Sequence, residues 1–204
     1  ARCPSRSRAC AGWAIAVDAG TFAYNGAAAT SNRNWDLSAV GGHLVFSNSG
    51  SGALTLQGNI TLAGTINTAI VFSADSADLS LLGQIGLPSG SLLRASFSGS
   101  SNARSITLGN SNSFSAPVTI GNVTVKAGTL ADGGSNSSLG AGTSVGLTNG
   151  GVLSYTGGAA PSNRTWTFDG ATTISNDGTG GLLLSGAASF SAGGVATDTL
   201  TPNS

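Results

Sequence analysis

Apolar residues recur two apart along much of this chain, with small and polar residues between them. The stretch from Val123 to Phe168 shows the pattern most clearly. Apolar pairs stand at Val123/Val125, Val145/Leu147 and Trp166/Phe168, and Gly, Asn, Ser and Asp fill the intervals. A period of two inside each pair predicts a strand with one buried side. The near-constant step from Val123 to Val145 and from Val145 to Trp166 predicts a repeated coil.

A long internal duplication supports the coil. Gly20-Thr-Phe-Ala-Tyr24, running on through Ser31-Asn-Arg33-Asn-Trp35, aligns with Gly151-Val-Leu-Ser-Tyr155 and Ser162-Asn-Arg164-Thr-Trp166. After a three-residue length difference, Phe46-Ser-Asn-Ser-Gly50 through Gly58 aligns with Ile174-Ser-Asn-Asp-Gly178 through Gly186. Further strand signals lie between the copies, at Ile60/Leu62, Ile70/Phe72, Leu79/Leu81, Leu92, Phe97, Ile106/Leu108 and Val118/Ile120. Asn25-Gly26, Gly41-Gly42, Asp132-Gly133, Asn149-Gly150, Asp169-Gly170 and Asp177-Gly178 supply the corners.

Strands this short bury no face alone. Stacked on their copies at ~4.8 Å, they would enclose a narrow apolar core. The expectation is an all-β parallel β-helix, a β-solenoid of roughly 20–22 residues per coil and ~9 coils. Leu54, Leu56, Val123, Val125, Val145, Leu147, Leu153, Leu182 and Leu184 should face the core. An antiparallel sandwich also uses short strands, but it predicts hairpin-scale spacing instead of duplicated blocks. Residues 1–12, ARCPSRSRACAG, lack the pattern and read as an atypical basic leader; residues 13–204 read as one repeat domain. Cys3 and Cys10 allow a terminal disulfide loop or two incidental thiols. The chain contains no Met and is read as an excerpt of something longer.

Composition narrows the picture. The 204 residues include 32 Gly, only 8% are charged, and the hydrophobic share is 40%. Long helices are disfavoured by so much Gly, and disorder by so many regularly spaced apolar residues. Formal charge is zero, with Arg2, Arg6 and Arg8 crowded at the start and a mildly acidic remainder. That balance argues against a nucleic-acid surface.

From Ile106 the pattern becomes more specific. Ile106, Leu108, Asn112, Phe114, Val118, Ile120, Gly128 and Leu130 fall on a motif of the form L-x-L-x-G-x-N-x-[YF]-x-G-x-T-x-V-x-x-G-x-L. The chain thus resembles the autotransporter-associated β-strand repeat, also called the passenger-associated transport repeat. Leu182 to Phe190 opens another copy, and Leu54 to Gly58 a shortened one. Ala116-Pro117 replaces the family's Gly, Gly121 to Val125 read as an insertion, and Ala188 replaces its Asn. The resemblance implies a right-handed parallel β-helix from the exported passenger of a bacterial surface protein. It implies a cell-surface, outer-membrane-associated or secreted location and a C-terminal translocator barrel in the parent chain. For an adhesive passenger the expected partners are surface glycans or host and neighbouring-cell surfaces.

The candidate chemistry is sparse. His43, in Gly41-Gly-His-Leu-Val-Phe46, is the one possible imidazole base, and no nucleophile loop surrounds any Ser. It reads as a solvent-facing strand neighbour. Asp75 and Asp78 are the nearest carboxylate pair, three apart and so not cleanly on one face. Asp169 and Asp177 precede Gly and read as turn formers. Arg33 and Arg164, each two residues before a Trp, would brace the coil or hold a sugar by cation–π contact. Thr165-Trp-Thr167 and Thr197-Asp-Thr199 fall short of the Thr array an ice-binding face needs. No catalytic residue, cofactor, metal or defined ligand site is assigned. The expected role is a non-enzymatic structural or adhesive segment; the alternative is a carbohydrate-active β-helix, a polysaccharide lyase or glycoside hydrolase.

Overall fold

The computed structural model describes residues 15–18, 20–38, 43–63, 69–86, 94–109, 111–191 and 199–201. Residues 1–12, with Cys3 and Cys10, and Leu92 lie outside them. Every described element is a short strand, and all strand pairs are parallel.

Two sheets of eight strands run the length of the stack. The first contains β2 (Gly20–Tyr24), β5 (Leu44–Asn48), β8 (Ala69–Ala74), β11 (Arg94–Gly99), β13 (Val118–Gly121), β15 (Ser144–Thr148), β18 (Thr165–Asp169) and β21 (Ala188–Phe190). The second contains β3 (Ala29–Ser31), β6 (Leu54–Leu56), β9 (Leu79–Leu81), β12 (Ser105–Leu108), β14 (Thr124–Ala127), β16 (Val152–Tyr155), β19 (Thr173–Asn176) and β22 (Thr199–Thr201). A third face starts as a four-stranded sheet, β1 (Ile15–Asp18), β4 (Trp35–Ser38), β7 (Ile60–Ala63) and β10 (Ile85–Gly86). Near the other end β17 (Ala160–Ser162) and β20 (Leu182–Leu184) take the same place in chain order. Eight coils result, and seven steps of ~4.8 Å span roughly 34 Å.

Alternation decides which side chains enter the core. Leu54, Leu56, Val123, Val125, Val145, Leu147 and Leu153 are buried, and Leu182 and Leu184 in the last coil are partly buried against the core. One inward column of the first sheet reads Phe22, Phe46, Phe72, Phe97, Ile120, Leu147, Phe168, Phe190 in unbroken register. Neighbouring rings lie 4.6–6.3 Å apart along its first half. Parallel in-register stacking puts like on like, so identical rings share one groove.

The step along the first sheet varies more than the spacing predicts. The stacked pairs Val145/Trp166 and Trp166/Ala188 are joined by short coils, whereas Leu44/Ile70 and Val118/Val145 are joined by longer ones. Between Val118 and Val145 the extra residues sit in the loop before β15, and such longer coils are why fewer of them fit. One spacing joins strands that do not stack. Val125 lies in the second sheet, paired with Ile106 and Leu153, whereas Val145 pairs with Val118 in the first. Gly121 to Val125 falls at a turn between two sheets. It is the corner between β13 and β14 with the start of the next strand, turned by Asn122 at φ 51. Asn149 (φ 49), Gly150 (φ 79) and Gly170 (φ 82) turn the same corner in the next two coils. Asn and Gly are the residues that accept this left-handed geometry.

Candidate functional site

An elaborate polar structure is built where the described residues show no third-face strand. Between β14 and β15 the sequence Ala131-Asp-Gly-Gly-Ser-Asn-Ser-Ser-Leu-Gly140 turns repeatedly instead of extending. Gly134 (φ 90) and Gly140 (φ 73) adopt backbone that other residues resist. A Cβ on Gly140 would fall 2.4 Å from the Phe114 carbonyl oxygen and 2.6 Å from its ring. The loop partly closes on itself: Gly134 N–H donates to the Ala141 carbonyl and Ser137 Oγ to that of Gly140, at 2.8 and 2.9 Å. Several carbonyls remain directed inward.

Arg164 satisfies them. Its side chain is fully buried, and its partners are carbonyl and hydroxyl oxygens of this loop. Nε donates to the Ala131 carbonyl at 2.9 Å, and Nη1 to that of Leu139 at 3.3 Å. Nη2 is shared among the Gly140 carbonyl (2.7 Å), Ser137 Oγ (3.0 Å) and the Ser135 carbonyl (3.3 Å). The planar fork suits such a cluster where an ammonium would not. Burial pushes the guanidinium pKa down, and the Asp132 charge opposes that in part. The two residues before it complete the clasp. Ser162 Oγ donates to the Ala131 carbonyl (3.2 Å), Asn163 N–H to Asp132 Oδ1 (2.8 Å), and Gly133 N–H to Asn163 Oδ1 (2.8 Å). From the preceding coil, buried Asn112 donates through Nδ2 to the Ser138 carbonyl (2.7 Å) and accepts Ile85 N–H (2.7 Å). The loop is thus held from both neighbours.

Arg33 holds the equivalent place and is exposed. Trp35 and Trp166, two residues after each Arg, are both buried, with Nε1 unpartnered. The coil-bracing reading of the repeated Arg thus describes Arg164. Neither the loop nor the Phe column was singled out from sequence. The column's six Phe, interrupted by Ile120 and Leu147, stand out only once the register is known.

The carboxylates do not converge. Asp75 accepts Ser47 Oγ (2.9 Å) and Ser73 Oγ (2.5 Å), whereas Asp78 accepts Ser105 N–H (2.8 Å). Asp169 accepts Ser191 Oγ (2.5 Å), and Asp177 accepts Ser154 Oγ (2.7 Å) and Ser175 Oγ (2.8 Å). With Asp132, five carboxylates each bond across a coil boundary. The hydrogen bonds from Ser154 and then Ser175 hold Asp177 below the usual carboxylate range. His43 is exposed beside β5, and its carbonyl accepts Gly20 N–H at 3.2 Å.

Outward positions of the second sheet form one column: Thr30, Thr55, Ser80, Thr107, Lys126, Ser154 and Ser175, in register through seven strands. Six hydroxyl residues flank one cation among these described side chains. Thr165 and Thr167 lie outward on β18, beside Ser144 and Gly146, so they extend into no Thr array there. Thr197 lies outside the described residues.

The chain is 39% identical over 171 residues, 80% of its length, to a stretch of the protein "Adhesin BmaC autotransporter" of Brucella suis biovar 1 (strain 1330). That stretch spans 5% of the adhesin. No family model matches the chain. No solved structure matches it.

Proposed function

From the premise that this chain is autotransporter passenger sequence, akin to part of an adhesin, we propose that it is a structural and adhesive segment of an exported surface protein. It forms a stiff β-solenoid rod that assists export by folding outside the cell and holds adhesive regions away from the membrane. Residues 13–204 make the rod, and residues 1–12 stand outside its repeat. The parent chain supplies a translocator barrel and an outer-membrane or cell-surface location. The role is non-enzymatic.

One observation carries this reading: eight coils stack in parallel register, and five carboxylates are committed to neighbouring coils. Asp75, Asp78, Asp132, Asp169 and Asp177 all bond across a coil boundary. Such contacts make each coil a template for the next, as in other quasi-one-dimensional repeats. Adhesion would use the Thr30 to Lys126 part of the second sheet's hydroxyl column, whose donors and acceptors recur every ~4.8 Å and suit surface glycans.

The test displays the parent passenger on cells and compares Arg164→Ala and Trp166→Ala with His43→Ala. The first two should lower surface display by weakening the rod, and the third should not. Binding of the purified chain to glycans should fall in the Thr55→Ala/Thr107→Ala/Lys126→Ala variant without loss of folding. Polysaccharide turnover by the purified chain, abolished by substituting His43 or Asp78, would overturn the reading.

A further inference from the structure

The two copies of the duplication agree in detail. Tyr24 Oη donates to the Ala27 carbonyl and Tyr155 Oη to that of Gly158, three residues on in each case. Asn48 Nδ2 donates to the Gly52 carbonyl and Asn176 Nδ2 to that of Gly180. A Cβ on Gly58 would meet the Arg33 carbonyl, and one on Gly186 that of Arg164, at 1.9 and 1.8 Å. The strands beneath agree as well. Ile15 and Val17 pair with Trp35 and Leu37 as Val145 and Leu147 pair with Trp166 and Phe168. Ser31-Asn32-Arg33 therefore has the backbone setting of Ser162-Asn163-Arg164. What differs is the exposure of the Arg: Arg33 is exposed and Arg164 is buried.

Loop residues 131–140 precede Val145, and the residues equally far ahead of Ile15 are 1–10, ARCPSRSRAC. Correspondence is present just after them, where Ala11-Gly12 matches Ala141-Gly142. Within them it fails on physical grounds. Pro4 stands in the place of Gly134, whose φ is 90, and the proline ring confines φ to negative values. Cys10 stands in the place of Gly140, which is packed against Phe114. Arg2, Arg6 and Arg8 would add cations beside Arg33 where Arg164 meets carbonyls.

We infer that Ser31-Asn32-Arg33 is an open clasp, shaped to receive a Gly-rich, carbonyl-presenting loop of the form Ala-Asp-Gly-Gly-Ser-x-Ser-Ser-Leu-Gly from a further coil of passenger sequence. This rests on the structural reading above. The clasp is an interaction surface beside β1, the edge strand among the described residues, and it selects which coil docks there. A coil without the loop would leave a buried guanidinium unpaired, which is costly. Arg33 thereby ties adjacency of coils to sequence and not merely to the generic edge of a parallel sheet.

The test measures thermal unfolding of the full chain, its Arg33→Ala variant, a chimera in which a copy of residues 123–140 replaces residues 1–10, and the chimera carrying Arg33→Ala. Removing an exposed side chain should shift the native chain's Tm by less than ~1 °C. In the chimera the same substitution should lower Tm by roughly 6–12 °C. Equal losses in both backgrounds would show that the chain's own first residues fill the clasp and would overturn the inference. No loss in a folded chimera would overturn it too. Should the chimera not fold, a peptide of residues 128–143 is titrated onto the native chain while the Arg33 Nε–H resonance is followed. A saturable shift, lost in Asn32→Ala, supports the clasp; an unmoved resonance sinks it. None of these readouts involves export or adhesion, so failure of the clasp is distinguishable from failure of the passenger reading.

Discussion

Trp35 and Trp166 are equivalent in sequence, yet they enter the core from different faces of the solenoid. Trp35 lies on β4, between Ile15 and Ile60 of the third face, and Trp166 on β18, between Val145 and Ala188 of the first sheet. The whole second copy has advanced by one face. Its Val152–Tyr155 strand lies in the second sheet where Gly20–Tyr24 lies in the first, and the strand at Leu182 follows suit. A three-faced coil makes this possible because each face presents the same local problem: a short strand with alternate residues inward and a corner at each end. Sequence blocks here encode sides and corners, not a fixed position around the axis.

Replacing Trp166 with Ala should cost about 3–5 kcal/mol, as for other large buried aromatics. Its indole is almost wholly buried and its Nε1 has no partner, so the loss is one of packing. Trp166→Phe should therefore recover most of the stability, since no hydrogen bond is forfeited. In thermal melts of a chain this long, the Ala variant should fall by roughly 6–20 °C. An unchanged melt would mean the ring is not part of the cooperative core.

Arg164→Ala should cost about 3–5 kcal/mol, because it strips donors from buried carbonyls that water cannot easily reach. Arg164→Lys should rescue less than half of that, since one ammonium cannot span Ala131, Leu139 and Gly140 together. Amide exchange offers the sharper readout. Protection should vanish first at Gly134, Ser138 and Gly140, whose N–H groups close the loop. Uniform loss along the chain would show that Arg164 supports the coil as a whole and not the loop.

Strand chemistry was legible in the sequence wherever alternation was strict. Leu54/Leu56, Val145/Leu147 and Trp166/Phe168 fall where a period of two puts them, on the buried side. Stacking order was less legible. Val125 and Val145 stand one coil-like interval apart, yet they occupy different sheets because the loop before β15 uses residues that a strand would otherwise take. Fixed-interval reasoning fails where coils differ in loop length. The Arg pair shows the same limit for polar groups. The same preceding Ser-Asn and the same Trp two residues on leave Arg33 exposed and Arg164 buried, because the deciding partner lies far upstream and in another coil. The Asp-Gly turns were recognised, but their carboxylates' service to neighbouring coils depends on register and not on local sequence.

Two glycines separate close approach from mere flexibility. A methyl group on Gly186 would lie 1.8 Å from the Arg164 carbonyl oxygen, so Gly186→Ala must push the last coil away from the clasp. A loss of about 2–4 kcal/mol is expected, in the range of other overpacked sites. Gly128 faces open space with no left-handed backbone, and Gly128→Ala should be neutral or slightly stabilising. Paired denaturant titrations check both. Equal effects would show that the coil spacing at Gly186 relaxes freely.

Acid should remove one coil-to-coil contact in a defined direction. Asp177 is held below the usual carboxylate range, chiefly by Ser154 from the preceding coil and next by Ser175, with desolvation opposing them weakly. Its folded pKa therefore lies under the unfolded value of about 3.9. The ionised form is the one the two hydroxyls favour, so its contribution is fully present above that unfolded value. It fades as pH falls through the depressed folded value. The side chain is exposed, which keeps the effect small and sensitive to salt. Stability of the native chain relative to Asp177→Asn should be constant from neutrality down to about pH 5 and should narrow below about pH 4. Ser154→Ala should flatten that dependence, because it removes the donor with the largest share in the shift. Chemical denaturation at a series of pH values supplies the measurement. A gap that widens in acid would reverse the sign and show that the protonated carboxyl is the stabilising form.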